Sequence, residues 1–469
     1  MRMFPEQTDT SGLLQTAYEQ AIAHLGSQRG ARPRDPKRSR DLLDTAMPVA
    51  GTPAAVTIAR LVEAGTAGIQ PTTDPTAFGY VFGGTLPVGI AADWLTTVWD
   101  QVAITHNASP VTAQAEMVCE RWLVDLLGLP ANTVMGLTSG CTSANLVGLA
   151  AGREAQLRRF GWDVNRDGMQ DAPGVAVILS EQTHASVPRC LHLLGLSGQM
   201  HYARTDEEGR IDATHARQIA RRQHGKGLII IGQVGATDGG SIDPITQLSE
   251  IRDEYEGWLH LDAAFGMWAA ASPELRPLVT GMEKADSWST DGHKWLNCPY
   301  DCGMVFCAHP EVLAHAMAIG ASYLDNTTSN VRHPMNYRME VSQRARALPL
   351  WATLHHLGKT GVAQLIQQGC AAAQCIAQRL EAEPGIRILA PVRLNQVLIH
   401  VGSHTLTQHV AERLAAERVG WFTTTTWKGQ PALRVSVSSW QTTVHTAEQV
   451  AEGFVRIFRE AKEGNQNHG

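Results

Sequence analysis

A lysine stands among aromatic and small residues in Asp286-Ser287-Trp288-Ser289-Thr290-Asp291-Gly292-His293-Lys294-Trp295. The stretch lies between a Ser/Thr/Asp/Gly cluster and the apolar run 304–308, which puts Lys294 in a turn between two buried strands. Burial strips water from an ammonium, so the pKa of Lys294 is expected to fall and its neutral amine to attack a carbonyl carbon. A lysine that lays its stem on apolar surface and keeps its head in water fits the same pattern.

Four further groups fall where apolar runs stop. Residues 137–146 open a helix that runs to about Phe160. There Ser139, Gly140, Cys141 and Thr142 are small enough for backbone N–H groups and the Thr142 hydroxyl to meet a phosphate, and the same residues also read as an ordinary helix cap. Asp262 ends the apolar stretch 258–261, and a flat group has room to lie against Ala264. An unpaired buried carboxylate costs about 3 to 5 kcal/mol, so a cation is expected beside it, either a protonated heterocycle or a structural ion pair. His184, just past the run 175–179, is placed to stack on a ring, to move protons, or simply to pack. Thr237, in the turn 235–240, offers a hydroxyl to a ring substituent or serves the turn alone.

The elements that must position these groups follow from periodicity. Residues 11–25 read as an amphipathic helix, 29–40 as a basic, proline-broken linker, and 66–84 as loop. Apolar residues from Met117 to Leu127 recur at helical spacing and stop at Gly128. Short apolar runs at 175–179, 228–234, 258–261 and 304–307 then alternate with helical segments, one of them starting at Asp243 as N-cap with Pro244 behind it. Such runs imply an α/β fold with a mainly parallel sheet covered on both faces, whose ligand crevice lies at the carboxyl ends of the strands. From about Trp351 a small α+β part follows, with helices near 362–381 and 405–418 and strands at 397–401 and 433–437. The chain therefore divides into a helical and extended segment 1–85, a large α/β domain 86–350 and a small domain 351–469.

At 469 residues, 43% hydrophobic and 18% charged, the composition is globular, and a net charge of −6 leaves no basic surface for nucleic acid. No uncharged apolar run is long enough to span a membrane, and residues 1–10 lack the apolar core of a secretory signal. Eight scattered cysteines fit reduced thiols in a cytoplasm. Cys298, Cys302 and Cys307 match no paired zinc spacing and read as small buried hydrophobes, so no metal is expected.

Together, a phosphate cradle, a stacking histidine, a pyridinium-pairing aspartate and a carbonyl-binding lysine describe pyridoxal 5′-phosphate. From about Pro71 to about Thr443 the chain resembles the pyridoxal-phosphate-dependent group II amino acid decarboxylases, close to the aromatic-L-amino-acid and tyrosine decarboxylases. These have the aspartate aminotransferase fold, fold type I. The resemblance implies that Lys294 carries the cofactor as a Schiff base, with His293 near its phosphate and 139–142 as the phosphate loop. Cys141 replaces the usual Gly or Ala there, and Asp291 stands where some relatives carry Asn. By the same resemblance Asp262 keeps the ring nitrogen protonated, His184 stacks on the ring, and Thr237 and Ala264 form the other wall. Tyr323, in a polar lid segment 321–338, is implied to protonate the substrate carbon, with Tyr337 as the alternative donor. Arg344 and Arg346 read as structural, and Arg434 as a grip on the substrate carboxylate. Phe82, Ile104 and His106 are implied to reach the substrate of the partner subunit, which requires a homodimer with shared sites. The expected substrate is a neutral L-amino acid, aromatic before aliphatic. An aminotransferase or an aldehyde synthase on the same scaffold is the alternative; Tyr323, which related aldehyde synthases usually lack, favours simple decarboxylation.

Overall fold

The computed structural model describes residues 9–26, 35–317 and 332–466. Its large sheet has seven strands in the order β1-β7-β6-β5-β4-β2-β3: β1 (Val134–Thr138), β2 (Val175–Ser180), β3 (Met200–Ala203), β4 (Gly227–Gln233), β5 (Trp258–Asp262), β6 (Ser287–Asp291) and β7 (Gly303–Cys307). Only β7 runs against the rest, pairing antiparallel with β1 and β6. The carboxyl ends of β1, β2, β4, β5 and β6 therefore share one edge.

The strands are apolar throughout because both faces are covered. On β4, Leu228 and Ile230 join one core and Ile229 and Ile231 the other, as the two-residue period of a strand requires. The helices before and around this sheet are α1 (Thr10–Gly26), α2 (Pro36–Leu43), α3 (Ala54–Gly68), α4 (Pro87–Trp99), α5 (Pro110–Leu127), α6 (Cys141–Arg158), α7 (Val164–Asp167), α8 (Ser186–Leu193), α9 (Ala213–Arg222), α10 (Ile245–Glu254) and α11 (Pro310–Ala316). The helix α5 stops at Gly128, whose φ of 68° is the left-handed cap that glycine adopts without strain.

A second, four-stranded antiparallel sheet follows: β8 (Arg387–Ile388), β9 (Gln396–His400), β10 (Thr423–Trp427) and β11 (Gln430–Ser436), in the order β10-β11-β9-β8. It packs with α12 (Ala347–Glu381), α13 (His404–Ala416) and α14 (Val444–Gln466) around a separate apolar core that includes Ile376, Ile399, Leu433 and Phe454.

Several local expectations are corrected. The basic stretch expected to be a linker contains α2, capped by the Asp35 side chain on Arg38 N–H, and 66–68 belong to α3 rather than to a loop. Asp243 does not cap α10. Its buried carboxylate instead accepts from Ile211 N at 2.8 Å and Gln233 N at 2.7 Å, tying the turn before α9 to the end of β4. The helix expected near 362 does start close to there: Gly358, at φ 58° and ψ −179°, is non-helical and separates it from a preceding helical stretch that begins at Ala347, the two being counted together as α12.

Candidate active site

Lys294 lies in the turn after β6, and its Nζ is 3.0 Å from Asp291 Oδ2. Burial pushes this ammonium toward neutrality, but Asp291, with Asp262 behind it, outweighs burial and the net pKa rises. The expected fall is thus reversed, and in this geometry Lys294 is an ammonium. Asp291 Oδ1 also accepts the backbone N–H of Cys141 at 2.7 Å, at the positive start of α6. His293 accepts from Cys302 N on Nδ1 at 3.0 Å, so its neutral ring carries the proton on Nε2, 3.5 Å from Asp291 Oδ1. Burial lowers its pKa, and the ring stacks on Tyr300 at 4.1 Å.

Two glycines let the surrounding chain close on this turn. A β-carbon on Gly303 would stand 2.4 Å from Gly140 Cα, so β7 lets the 139–142 loop lie directly against it. One on Gly83 would stand 1.8 Å from the Lys294 carbonyl oxygen, so the 80–83 loop sits against the lysine turn.

Asp262 ends β5 and is 6% exposed. Its partners are neutral donors: Asn145 Nδ2 at 3.1 Å, Ala264 N at 3.3 Å and the Cys141 thiol at 3.6 Å. Burial and the neighbouring carboxylates hold that thiol protonated, its pKa well above the usual range. No side-chain cation appears among these partners, so the charge that Asp262 calls for is left to a ligand.

Lys294, Asp262, His293, Gly140, Cys141, Thr142, His184, Thr237, Ala264 and Arg434 all line one cavity of about 300 Å³. All but Arg434 reach it because the strand before them ends at the shared edge. His184 is fixed by Ser186, whose hydroxyl lies 2.7 Å from Nδ1. Arg434 comes from β11 of the small sheet and donates to Thr237 O at 3.4 Å, while its Nε is buried without a partner. Ser139 is not in the lining, and its hydroxyl lies 3.2 Å from that of Ser143.

Other expected residues lie elsewhere. Phe82 stacks on Trp421 at 5.8 Å, and Ile104 and His106 are held by backbone bonds to Met335 and to the His333 ring. None of the three lines the cavity of its own chain. Tyr323 is outside the described residues, and Tyr337 lies under the Arg332 guanidinium, 4.3 Å from ring centroid to Cζ. Arg346 pairs with Asp301 at 2.7 Å and Arg344 with Asp93 at 2.9 Å. All eight cysteines are free thiols.

Tyr80 and Val81, in the stretch 77–85 that the family resemblance gave to the partner's site, line this chain's own cavity, and sequence reasoning missed Asn145, which holds Asp262. Asn145 did leave a signal: a polar residue one helical turn after Cys141 within an apolar run.

The site fits pyridoxal phosphate. The first turn of α6 leaves N–H groups without helical carbonyls for an anion, Asp262 lacks a cation, and an amine faces both.

Comparison with known proteins agrees. The chain is 28% identical over 330 residues to an aromatic-L-amino-acid decarboxylase of Bacillus atrophaeus, covering 69% of this chain and 66% of that one. It is 27% identical over 315 residues to tyrosine/DOPA decarboxylase 2 of Papaver somniferum, covering 64% and 58%. The matched stretch is thus less than two thirds of either relative's length. The solved structure of Oryza sativa TDC with PLP and tryptamine superposes with a TM-score of 0.90 over 98% of this chain and 99% of that one, at 22% identity, which speaks for the fold. Residues 36–401 match the family model described as the pyridoxal-dependent decarboxylase conserved domain, and with most of its length inside that match the chain belongs to the pyridoxal-dependent decarboxylase family.

Proposed function

We propose that this protein removes the α-carboxylate of a neutral L-amino acid, aromatic before aliphatic, releasing carbon dioxide and the amine, with pyridoxal 5′-phosphate held at Lys294. The observation that carries the reading is that an amine, a carboxylate lacking a cation and an open helix start face one cavity. Gly140, Cys141 and Thr142 would hold the phosphate, His293 the turn beside it, Asp262 the ring nitrogen, and His184 with Thr237 and Ala264 the ring faces. The bound cofactor supplies an electron sink for the pair left behind when the carboxylate departs.

The chain's own part is binding, orientation and proton control. Asp291 holds the proton on Lys294 Nζ until that amine is needed. Arg434, which lines the cavity and is pre-positioned by the Thr237 carbonyl and by Asp238 at 3.8 Å, offers its guanidinium to the substrate carboxylate. The 80–83 loop, packed on the lysine turn, narrows the way for water. Tyr323 supplies the proton that replaces carbon dioxide, so that amino acid plus one proton gives amine plus carbon dioxide.

Phe82, Ile104 and His106 act in the partner's site of a homodimer. The apolar side chains exposed on α1 and α4, among them Leu14, Ile22, Val98 and Trp99, support that assembly. The division at 85 and 350 and a cytoplasmic setting belong to the same reading. Within the described residues, no helix is long and apolar enough to cross a membrane.

The test is product analysis with a panel of L-amino acids. Amine and carbon dioxide in equal amounts support the proposal, whereas aldehyde with peroxide, or a keto acid, replaces it.

A further inference from the structure

Behind Asp262 runs a buried chain of hydrogen bonds that the proposed reaction does not use. Trp258 Nε1 donates to Ser287 Oγ at 2.9 Å. Ser287 Oγ lies 2.8 Å from His260 Nδ1, and His260 Nε2 lies 2.8 Å from Asn145 Oδ1. Asn145 Nδ2 then donates to Asp262 Oδ2 at 3.1 Å. Ser289 Oγ adds a second donor to Asn145 Oδ1 at 2.5 Å. His260, Asn145, Ser287 and Ser289 are fully buried, so water cannot substitute for any link.

The carboxylate end orders the chain. A carboxylate only accepts, so Asn145 turns its NH₂ to Asp262 and its Oδ1 to His260. The neutral ring must then carry its proton on Nε2 to donate to that Oδ1. This leaves Nδ1 to accept from the Ser287 hydroxyl, while Ser287 accepts the indole N–H of Trp258. Burial drives the His260 pKa down to about 4 against the opposing pull of Asp262, so the ring is neutral at physiological pH. Reversing any one group would set two acceptors or two donors face to face in a dry interior.

The fold makes room for this arrangement. A β-carbon on Gly148 of α6 would lie 2.7 Å from His260 Cε1, so glycine there admits the imidazole between helix and sheet.

We infer that His260 and Asn145 are positioning residues: the chain that runs back to Trp258 holds an amide donor on Asp262 Oδ2 and so orients the carboxylate, whose Oδ1 is met by Ala264 N and the Cys141 thiol, toward the protonated ring nitrogen of the cofactor in the cavity that Asp262 lines. This rests on the reading of Asp262 as the partner of that nitrogen. The chain fills the same need that outer partners fill for metal ligands, fixing the orientation and proton state of the group that touches the ligand.

The test uses the full chain loaded with pyridoxal phosphate isotope-labelled at the ring nitrogen, whose NMR shift reports protonation independently of turnover. His260→Leu and Asn145→Leu are expected to move the signal toward the unprotonated position, with kcat about tenfold lower and KM within about twofold. His260→Gln, which keeps a donor toward Asn145, is expected to restore the wild-type signal. Ser287→Ala removes a single hydroxyl, moves the signal the same way by less, and decides the matter should the leucine variants not fold. A wild-type signal in Ser287→Ala and in whichever leucine variants fold overturns the inference, as does a His260→Gln protein no better than His260→Leu. Asp262→Asn separates the two levels. If it too leaves the signal unmoved, the reading of Asp262 is what fails; if it shifts the signal while the other variants do not, only the role of the chain fails.

Discussion

At Lys294 two opposed effects of burial meet: loss of water favours the amine, while proximity to carboxylates in a poorly screened site favours the ammonium. The carboxylates win, chiefly through Asp291. Because the pKa is raised, the amine that must attack the cofactor carbonyl becomes available only as pH rises. Asp291→Asn removes the strongest opposing charge and lets burial dominate, so covalent loading of pyridoxal phosphate should extend to lower pH and quicken about tenfold or more at neutrality. Rapid-mixing absorbance across a pH series measures it, and an unchanged profile contradicts the assignment. Tyr323→Phe should divert product from amine toward aldehyde, read by chromatography; an unchanged amine yield removes Tyr323 from the proposal. The position of Lys294 in a turn between buried strands was legible in the sequence, because composition reports burial. The sign of its pKa was not, because burial and Asp291, three residues earlier, pull in opposite directions, and only the folded geometry, with Nζ 3.0 Å from Asp291 Oδ2, decides between them.

The elements act by how closely their backbones approach. Gly303 and Gly140 touch where β7 passes the start of α6, and Gly303→Ala puts a methyl group into backbone that cannot move aside. Forced overpacking costs about 1 to 3 kcal/mol, and here it displaces the loop proposed to hold the phosphate. Affinity for pyridoxal phosphate should fall about tenfold or more, by fluorescence titration, with the melting temperature of the cofactor-free protein lowered as well. Asp243 is a purely structural counterpart. Burial raises its pKa to about 6 against the pull of two backbone donors. Asp243→Ala leaves both N–H groups without partners and should cost about 2 to 4 kcal/mol in denaturant unfolding. Since its folded pKa is raised, its contribution is fullest below the unfolded carboxylate range and is lost as pH rises through about 6. The parallel strands were readable from their unbroken apolar runs. The role of Asp243 was not, since Asp-Pro before a helical run has the form of a cap whether or not the carboxylate turns back to a distant strand.

Across the whole molecule, the seven-stranded sheet gathers the lysine, the aspartate and the helix start on one edge, and β11 of the smaller sheet brings Arg434 to them. What one chain does not gather is equally informative: Phe82, Ile104 and His106 do not line its own cavity, while Trp94, Leu95, Val98 and Trp99 of α4 stay exposed. If a second copy covers α4, sedimentation should give about twice the chain mass. Trp99→Glu should then yield monomers with little activity, whereas a fully active monomer would exclude shared sites. The pairing of a side chain with a site on another subunit leaves no local pattern in composition or periodicity, and for these three residues only the family resemblance pointed to it.

The most direct measurement incubates the purified protein with pyridoxal phosphate and single aromatic L-amino acids, and counts carbon dioxide and amine per amino acid consumed. The expected result is one of each, lost in Lys294→Ala together with the visible absorption of the bound cofactor. Turnover that persists in Lys294→Ala, or consumption of the amino acid without carbon dioxide, would contradict it.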